Sequence, residues 1–143
     1  MAKASVTSVP VEYFEAPDVK KLADEIADSL SLFHVVQQFV FCVRSRGSKS
    51  RRTIARIHGL GRVWQETLNL PSSYVIEVIS ERYDRLSVED REKTVIHELL
   101  HIPKGFTGGF RPHKGYMDHE IVESLHRTFK KQRVLRKEVL GER

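Results

Sequence analysis

The stretch Val95-Ile96-His97-Glu98-Leu99-Leu100-His101-Ile102-Pro103 decides how this chain is organised. As a helix it places His97 and His101 four residues apart, so both imidazoles lie on one face and can reach a single metal ion. Glu98 directly follows the first histidine, as in the H-E-x-x-H pattern, where the carboxylate takes a proton from a metal-bound water and is not itself a ligand. The alternative is a pair of core histidines that hydrogen-bond to backbone carbonyls.

The helix that carries this pattern has recognisable ends. Ser87 can cap its first turn, and Asp90 stands three residues later, at the position that reaches back in a capping box. Pro103 disfavours helical geometry at the residue before it, so we expect the helix to end near Ile102. Apolar residues surround the two histidines, which indicates that this part of the helix is buried.

A catalytic zinc site needs one more ligand, because such sites usually have three protein ligands and one open position. Five of the chain's seven histidines lie between positions 97 and 126. His113 is the first candidate, since it lies directly after Pro112 in a glycine-rich return segment, residues 104–116. His119 and Glu123, on the last predicted helix, are the second and third candidates.

Composition excludes several classes of protein. The chain has 143 residues, which suits one domain spanning residues 1–143. It contains no apolar run of about 18 residues and no apolar centre near its N-terminus, so we expect neither a membrane span nor a signal peptide. Its single cysteine, Cys42, excludes an internal disulfide framework and a cysteine-rich zinc site. We therefore expect a cytoplasmic protein.

Basic residues are concentrated in two segments, residues 44–52 and 127–137, within a chain of net charge +5. Charge runs of this kind are usually solvated surface. The alternative is weak, non-specific contact with the phosphates of nucleic acid.

Hydrophobic periodicity predicts the remaining elements. Glu77 stands in the middle of the clearest strand, where it either pairs with an arginine or faces water. Residues 31–41 also allow a helical interpretation. The predicted elements are, in order, an N-terminal arm at 1–15, a helix at 17–30, strands at 35–43 and 53–57, a short helix or irregular segment at 63–70, a strand at 74–80, the helix through His101, and a C-terminal helix at 117–138. Together they predict an α+β fold with a small twisted mixed sheet packed on the histidine-bearing helix.

Three segments together resemble a known group of metallopeptidases. They are Tyr74-Val-Ile-Glu-Val-Ile, Lys93-Thr-Val-Ile-His-Glu-Leu-Leu-His-Ile-Pro and Gly108-Gly-Phe-Arg-Pro-His113. The group consists of metallopeptidases predicted in archaea; it is similar to the putative phage metallopeptidases and, more distantly, to SprT-like and other small zincins. The resemblance covers residues 35–115 and implies a compact, zincin-like single domain.

The resemblance also implies an activity, which is zinc-dependent hydrolysis of peptides or proteins. It makes His97 and His101 zinc ligands and Glu98 the general base, and the family pattern has a histidine where His113 stands. Residues 74–80 would form the edge strand that lines the substrate cleft.

Two other functions compete with hydrolysis. A SprT-like protein would associate with nucleic acid through the basic segments. A closed site with His119 as a fourth ligand would indicate a metal-stabilised binding protein without turnover. For an enzyme, Tyr116, Arg111 and His119 are the candidates for stabilising the developing oxyanion.

Overall fold

The predicted α+β fold is confirmed by the computed structural model, which describes residues 10–113, 115 and 118–141. The strands are β1 (Glu12–Glu15), β2 (Val40–Arg46), β3 (Ala55–Gly59) and β4 (Tyr74–Ile79). The helices are α1 (Pro17–Ser29), α2 (Arg62–Leu68), α3 (Ser80–Tyr83), α4 (Val88–Leu100) and α5 (His119–Leu140), with a short 3₁₀ turn at Gln37–Phe39. The first nine residues of the predicted arm lie outside the described residues.

The strands form one mixed sheet in the order β1-β2-β4-β3. β2 and β4 run parallel, whereas β1 pairs with β2 and β3 pairs with β4 in the antiparallel sense. β4 is therefore hydrogen-bonded on both sides and cannot accept a further strand. The expectation that residues 74–80 supply the edge of a substrate cleft is wrong, and β3 occupies the edge next to them.

The core lies between the sheet and the helices. β4 alternates, so Tyr74, Ile76 and Val78 belong to one continuous buried cluster. The helices contribute apolar residues at helical spacing to the same cluster: Val19, Ala23, Ile26 and Ala27 from α1, Val95, Ile96 and Leu99 from α4, and Val122 and Phe129 from α5. The helix with the two histidines is consequently held on its apolar side by both the sheet and its neighbouring helices.

β2 does not begin and end where periodicity predicts. It starts at Val40, after the 3₁₀ turn, and continues to Arg46 inside the segment expected to be a basic loop. The extension exists because β1 pairs with it, with Glu12 opposite Arg46 and Glu15 opposite Val43. Pairing with a strand so far away in sequence leaves no local signal.

The C-terminal helix begins with Asp118 as its cap, whose side chain accepts a hydrogen bond from the Ile121 N–H at 3.0 Å. It ends at Leu140, two residues beyond the predicted limit, and Met117 lies outside the described residues. Nowhere in the described part of the chain does a helix have the length and apolarity that crossing a membrane requires.

A buried polar link joins α5 to α4. The Nε2 atom of His126 lies 2.8 Å from a Glu92 carboxylate oxygen, and both side chains are almost fully buried. Arg133 donates to the other Glu92 oxygen at 2.8 Å and also to Glu25 of α1 at 3.0 Å. The residue spacing of α5 alone would allow a solvated position for His126, but these partners satisfy it inside the core.

Glu77 pairs with an arginine, as one alternative predicted, although it does so while buried. Its carboxylate accepts hydrogen bonds from the Ser45 hydroxyl at 2.6 Å and from Arg56 Nε at 3.1 Å, and lies 2.8 Å from His58 Nε2. Burial pushes the pKa of Glu77 upward, but these partners outweigh it and hold the pKa below its usual range. The network ties β2, β3 and β4 together on the sheet face opposite the core.

Replacing Glu77 by glutamine is expected to lower the free energy of unfolding by about 1–3 kcal/mol at neutral pH, because charge-assisted bonds are lost in a buried position. The lowered pKa means that the carboxylate contributes fully above the unfolded-state pKa and that its contribution disappears as pH falls through the folded-state pKa. Urea unfolding at several pH values should therefore show parent and variant converging in acid. Glu66→Gln, which breaks an exposed pair with Arg62, is the control and should change stability little.

Candidate metal centre

α4 brings the two motif histidines to one face, as its sequence predicts. Ser87 caps the helix by accepting a hydrogen bond from the Asp90 N–H at 3.1 Å, and the helix ends at Leu100. The imidazole rings of His97 and His101 lie 5.2 Å apart between centroids. Their orientation follows directly from the four-residue spacing.

The third imidazole comes from the return segment. The ring centroid of His113 lies 5.3 Å from that of His97 and 4.6 Å from that of His101. Each of these three residues offers a ring nitrogen, and these nitrogens all lie within 4.8 Å of one another. That separation is suited to one metal ion with three histidine ligands.

The two other candidate ligands lie elsewhere. Glu123 forms an ion pair with Lys93, with the nitrogen and oxygen 2.9 Å apart. His119 is exposed at the start of α5 and lines a neighbouring cavity. Among the described residues neither belongs to the group that could hold a metal, which weighs against the closed four-ligand site.

Tyr74 fixes the return segment over the sheet. Its buried hydroxyl accepts a hydrogen bond from the Gly108 N–H at 2.8 Å and donates one to the Gly109 carbonyl at 2.7 Å. Its ring packs edge-to-face with Phe106 and Phe110, with centroids 4.9 and 6.0 Å apart. The segment that carries His113 is thus anchored to the first residue of β4.

Two glycines allow the return segment to approach β3 closely. A Cβ atom on Gly59 would overlap the Gly108 carbonyl, and one on Gly108 would overlap the Leu60 carbonyl. Gly108 also has φ +99°, a conformation that side chains disfavour. Gln65 of α2 adds a second anchor, because its amide donates to the Leu60 and Thr107 carbonyls at 2.7 and 2.9 Å.

His97 and His101 are in protonation states that leave a ring nitrogen available to bind a cation. Burial, followed by the neighbouring His101 and His113, lowers the pKa of His97 to about 4, so the neutral form that binds metals prevails. His101 Nδ1 lies 3.4 Å from the Arg111 carbonyl, which can only accept a hydrogen bond. That contact assigns the proton to Nδ1 and leaves Nε2 for a metal.

Glu98 is the buried carboxyl of the site. Burial raises its pKa to about 7, which is close to the range in which a side chain exchanges protons at neutral pH. It lines the cavity, about 440 Å³ in volume, that also contains the three histidines, Phe110 and Arg111. A donor set of three imidazoles beside a buried carboxyl is chemically suited to zinc and to proton transfer from water.

β3 forms one side of the cavity. Arg56 and Ile57 of this strand line it opposite α4, and β3 is an edge of the sheet. Among the described residues no strand pairs with its outer side, so its backbone groups there can receive an extended peptide beside the three histidines. Of the oxyanion candidates, Arg111 lines this cavity, His119 lines the next one, and Tyr116 lies outside the described residues.

Sequence reasoning missed the residues that support the site. The sequence pattern identifies neither Tyr74 nor Gly59 as a support of the metal centre. A tyrosine at the first position of a buried strand needs a partner for its hydroxyl. This is the one feature of the sequence that indicates a role for Tyr74 beyond packing. Identifying that partner requires the position of a segment more than thirty residues later in the chain.

Removing the Tyr74 hydroxyl is expected to weaken metal binding as well as stability. Tyr74→Phe leaves the Gly108 N–H and the Gly109 carbonyl without this partner, at a cost of about 1–3 kcal/mol, and loosens the segment that carries His113. Zinc affinity measured by competition with a chelator should fall, together with the thermal midpoint. Tyr83→Phe, in α3 beyond the far end of β4, is the control and should leave zinc affinity unchanged; an equal loss in both would contradict the anchoring role.

The chain matches the family model described as "Putative phage metallopeptidase" over residues 11–136. This range contains the whole sheet, the three histidines and most of α5. No curated protein and no solved structure matches the chain.

Proposed function

This chain belongs to the putative phage metallopeptidase family, and on that premise we propose that it is a zinc-dependent peptidase whose general base is Glu98. The family supports a metal-dependent peptidase acting on peptides or proteins. The observation that carries the finer proposal is the set of three ring nitrogens, from His97, His101 and His113, within 4.8 Å of one another beside a buried carboxyl.

Zinc is the metal that the donor set favours. Three neutral imidazoles suit zinc better than magnesium or calcium, which prefer oxygen ligands. A zinc ion held by these residues supplies Lewis acidity, which lowers the pKa of water and polarises a carbonyl. The hydrogen bond between His101 and the Arg111 carbonyl orients that ligand before the ion arrives.

Glu98 performs the proton transfers. Its carboxylate accepts a proton from the water that attacks the scissile carbonyl and then passes a proton to the leaving amine. Its burial keeps bulk water from competing for this role, and the same burial raises the pKa of the carboxyl above its usual range.

β3 binds and orients the substrate. An extended peptide adds to the outer edge of β3 through main-chain hydrogen bonds, which aligns a peptide carbonyl with the three histidines. Since only an unfolded or flexible segment can add as a strand, we infer that the substrate is an extended region of a peptide or protein.

The nucleic-acid hypothesis stays a prediction, as do the cytoplasmic location and the archaeal and SprT-like parts of the resemblance. Within the first basic segment, Arg44 already forms ion pairs with Asp18 and Asp84. No observation of the described residues favours a phosphate-binding role over peptide hydrolysis.

Hydrolysis is tested with the full chain and a mixed peptide library analysed by mass spectrometry. Zinc-loaded protein should generate new peptide termini, a chelator should abolish them, and zinc should restore them where magnesium does not. Unfolded protein substrates, offered alongside the library, extend the test to longer chains. Zinc-loaded, folded protein that produces no chelator-sensitive termini from either source would refute the proposal.

A further inference from the structure

A second cavity adjoins the candidate metal centre. This side cavity has a volume of about 560 Å³ and shares His97 and Glu98 with the cavity that contains the three histidines. Ile54 and Ala55, at the start of β3, form one wall, and α4 and α5 form the opposite wall. A peptide lying along β3 with a carbonyl at the histidines would therefore direct a neighbouring side chain into it.

The surface that lines the side cavity is more apolar than polar, although most of its lining residues carry a polar or charged group. Ile54, Ala55 and Leu86 are partly buried and pack against the core, and Val122 of α5 is only 7% exposed. The volume is sufficient for a leucine- or phenylalanine-sized side chain. Burying such a side chain against these residues is favourable, whereas burying an unpaired charge there is costly.

Apart from Glu98 and the histidines His97 and His119, the charged groups that line the side cavity come in equal numbers of each sign. Lys93 of α4 and Glu123 of α5 form an ion pair of 2.9 Å, with 26% and 30% of their side chains exposed. The hydrogen bond from Lys93 holds the pKa of the Glu123 carboxyl below its usual range, so both groups stay charged. Arg52 and Asp90, both exposed, add one further charge of each sign to the lining.

We propose that the side cavity is a specificity subsite for a large, uncharged apolar side chain next to the scissile bond, and that the Lys93–Glu123 ion pair excludes charged side chains. The proposal rests on the proposed function, because the peptide must lie along β3. Each charge of the Lys93–Glu123 pair is neutralised by the other, so neither attracts a charged side chain of the substrate. Breaking the pair leaves one charge free to attract a side chain of opposite sign.

The test measures binding and does not depend on turnover. Dipeptide hydroxamates carry a metal-binding group, so they anchor at the histidines while the adjacent side chain samples the side cavity. Calorimetry with zinc-loaded parent protein should show the leucine compound binding about tenfold or more tightly than the alanine compound. The lysine and glutamate compounds should bind no better than the alanine compound.

Two variants then create charge preferences of opposite sign, which the parent lacks. Lys93→Met frees the Glu123 carboxylate and should improve binding of the lysine compound by about threefold or more; Glu123→Gln frees Lys93 and should do the same for the glutamate compound. The controls are Lys130→Met and Glu89→Gln, which break a 3.2 Å ion pair between the same two helices outside the cavity. Neither control should change the preference.

The outcomes separate this subsite from the peptidase activity. Equal affinity for the leucine and alanine compounds, or preferences that the two variants leave unchanged, would overturn the subsite. Chelator-sensitive cleavage without side-chain preference would overturn the subsite alone. The expected binding preferences without any cleavage would support the subsite and count against the peptidase. Failure of every compound to bind in a zinc-dependent manner would overturn both the metal centre and the subsite.

Discussion

Zinc-loaded Glu98→Gln is expected to cleave peptides about 10²–10⁴-fold more slowly than the parent, the range that a positioned general base contributes. Glutamine keeps the size and most of the hydrogen-bonding shape of glutamate but cannot accept the proton of the attacking water. Glu98 does not belong to the group of residues that could hold the metal, and glutamine has the same size in this buried position. Zinc content and folding should therefore remain nearly unchanged. Cleavage rates and metal analysis on the same samples provide the measurement.

A matched control comes from the same helix. Glu89→Gln replaces an exposed glutamate at the start of α4, so it should keep both zinc and activity. If Glu98→Gln retained full chelator-sensitive activity, the general-base role would be wrong. If it instead lost its zinc, Glu98 would be a ligand or a structural support of the ligands, and the enzyme interpretation would give way to a structural metal site.

The second large effect is expected for the ligands themselves. The double variant His97→Ala/His101→Ala should retain no stoichiometric zinc, because two of the three nitrogens of the group are removed. His113→Ala should lower zinc affinity by more than the roughly 10–100-fold that follows from losing a group that merely hydrogen-bonds a ligand. Metal analysis and chelator competition distinguish the two levels of loss.

His119→Ala is the decisive comparison for the third ligand. It removes an exposed imidazole from the start of α5 and should leave zinc affinity almost unchanged. A larger loss for His119→Ala than for His113→Ala would place the third ligand on α5. Equal, stoichiometric zinc in the parent and the double variant would exclude the metal centre altogether.

The sequence determined those features that depend on neighbours along the chain. The capped start of α4 and the common face of His97 and His101 follow from helix geometry over a few residues. Pro17 at the start of α1 and Pro103 after α4 likewise marked helix ends within one or two residues. These features depend only on hydrogen bonds and side-chain directions among residues a few positions apart. The sequence pattern alone was therefore sufficient to predict them.

Tertiary structure decided everything that depends on pairing across the chain. It extended β2 into the start of the basic segment because β1 pairs there, and it placed β4 inside the sheet and β3 at the edge. It also buried His126 against Glu92, although the helical pattern was compatible with a solvated face. Strand order and buried polar pairs arise from contacts between residues tens of positions apart, and the entropic cost of closing such loops leaves no trace in local periodicity.

The candidate metal centre depends partly on local sequence and partly on tertiary packing. Two of its histidines are neighbours on a helix, so their spacing alone was enough to group them. His113 joins them only because Tyr74 and the close approach of Gly59 and Gly108 hold the return segment over β3. Its glycines and proline made His113 a good candidate from the sequence. Only the packing of that segment against the sheet brings its imidazole within reach of the other two.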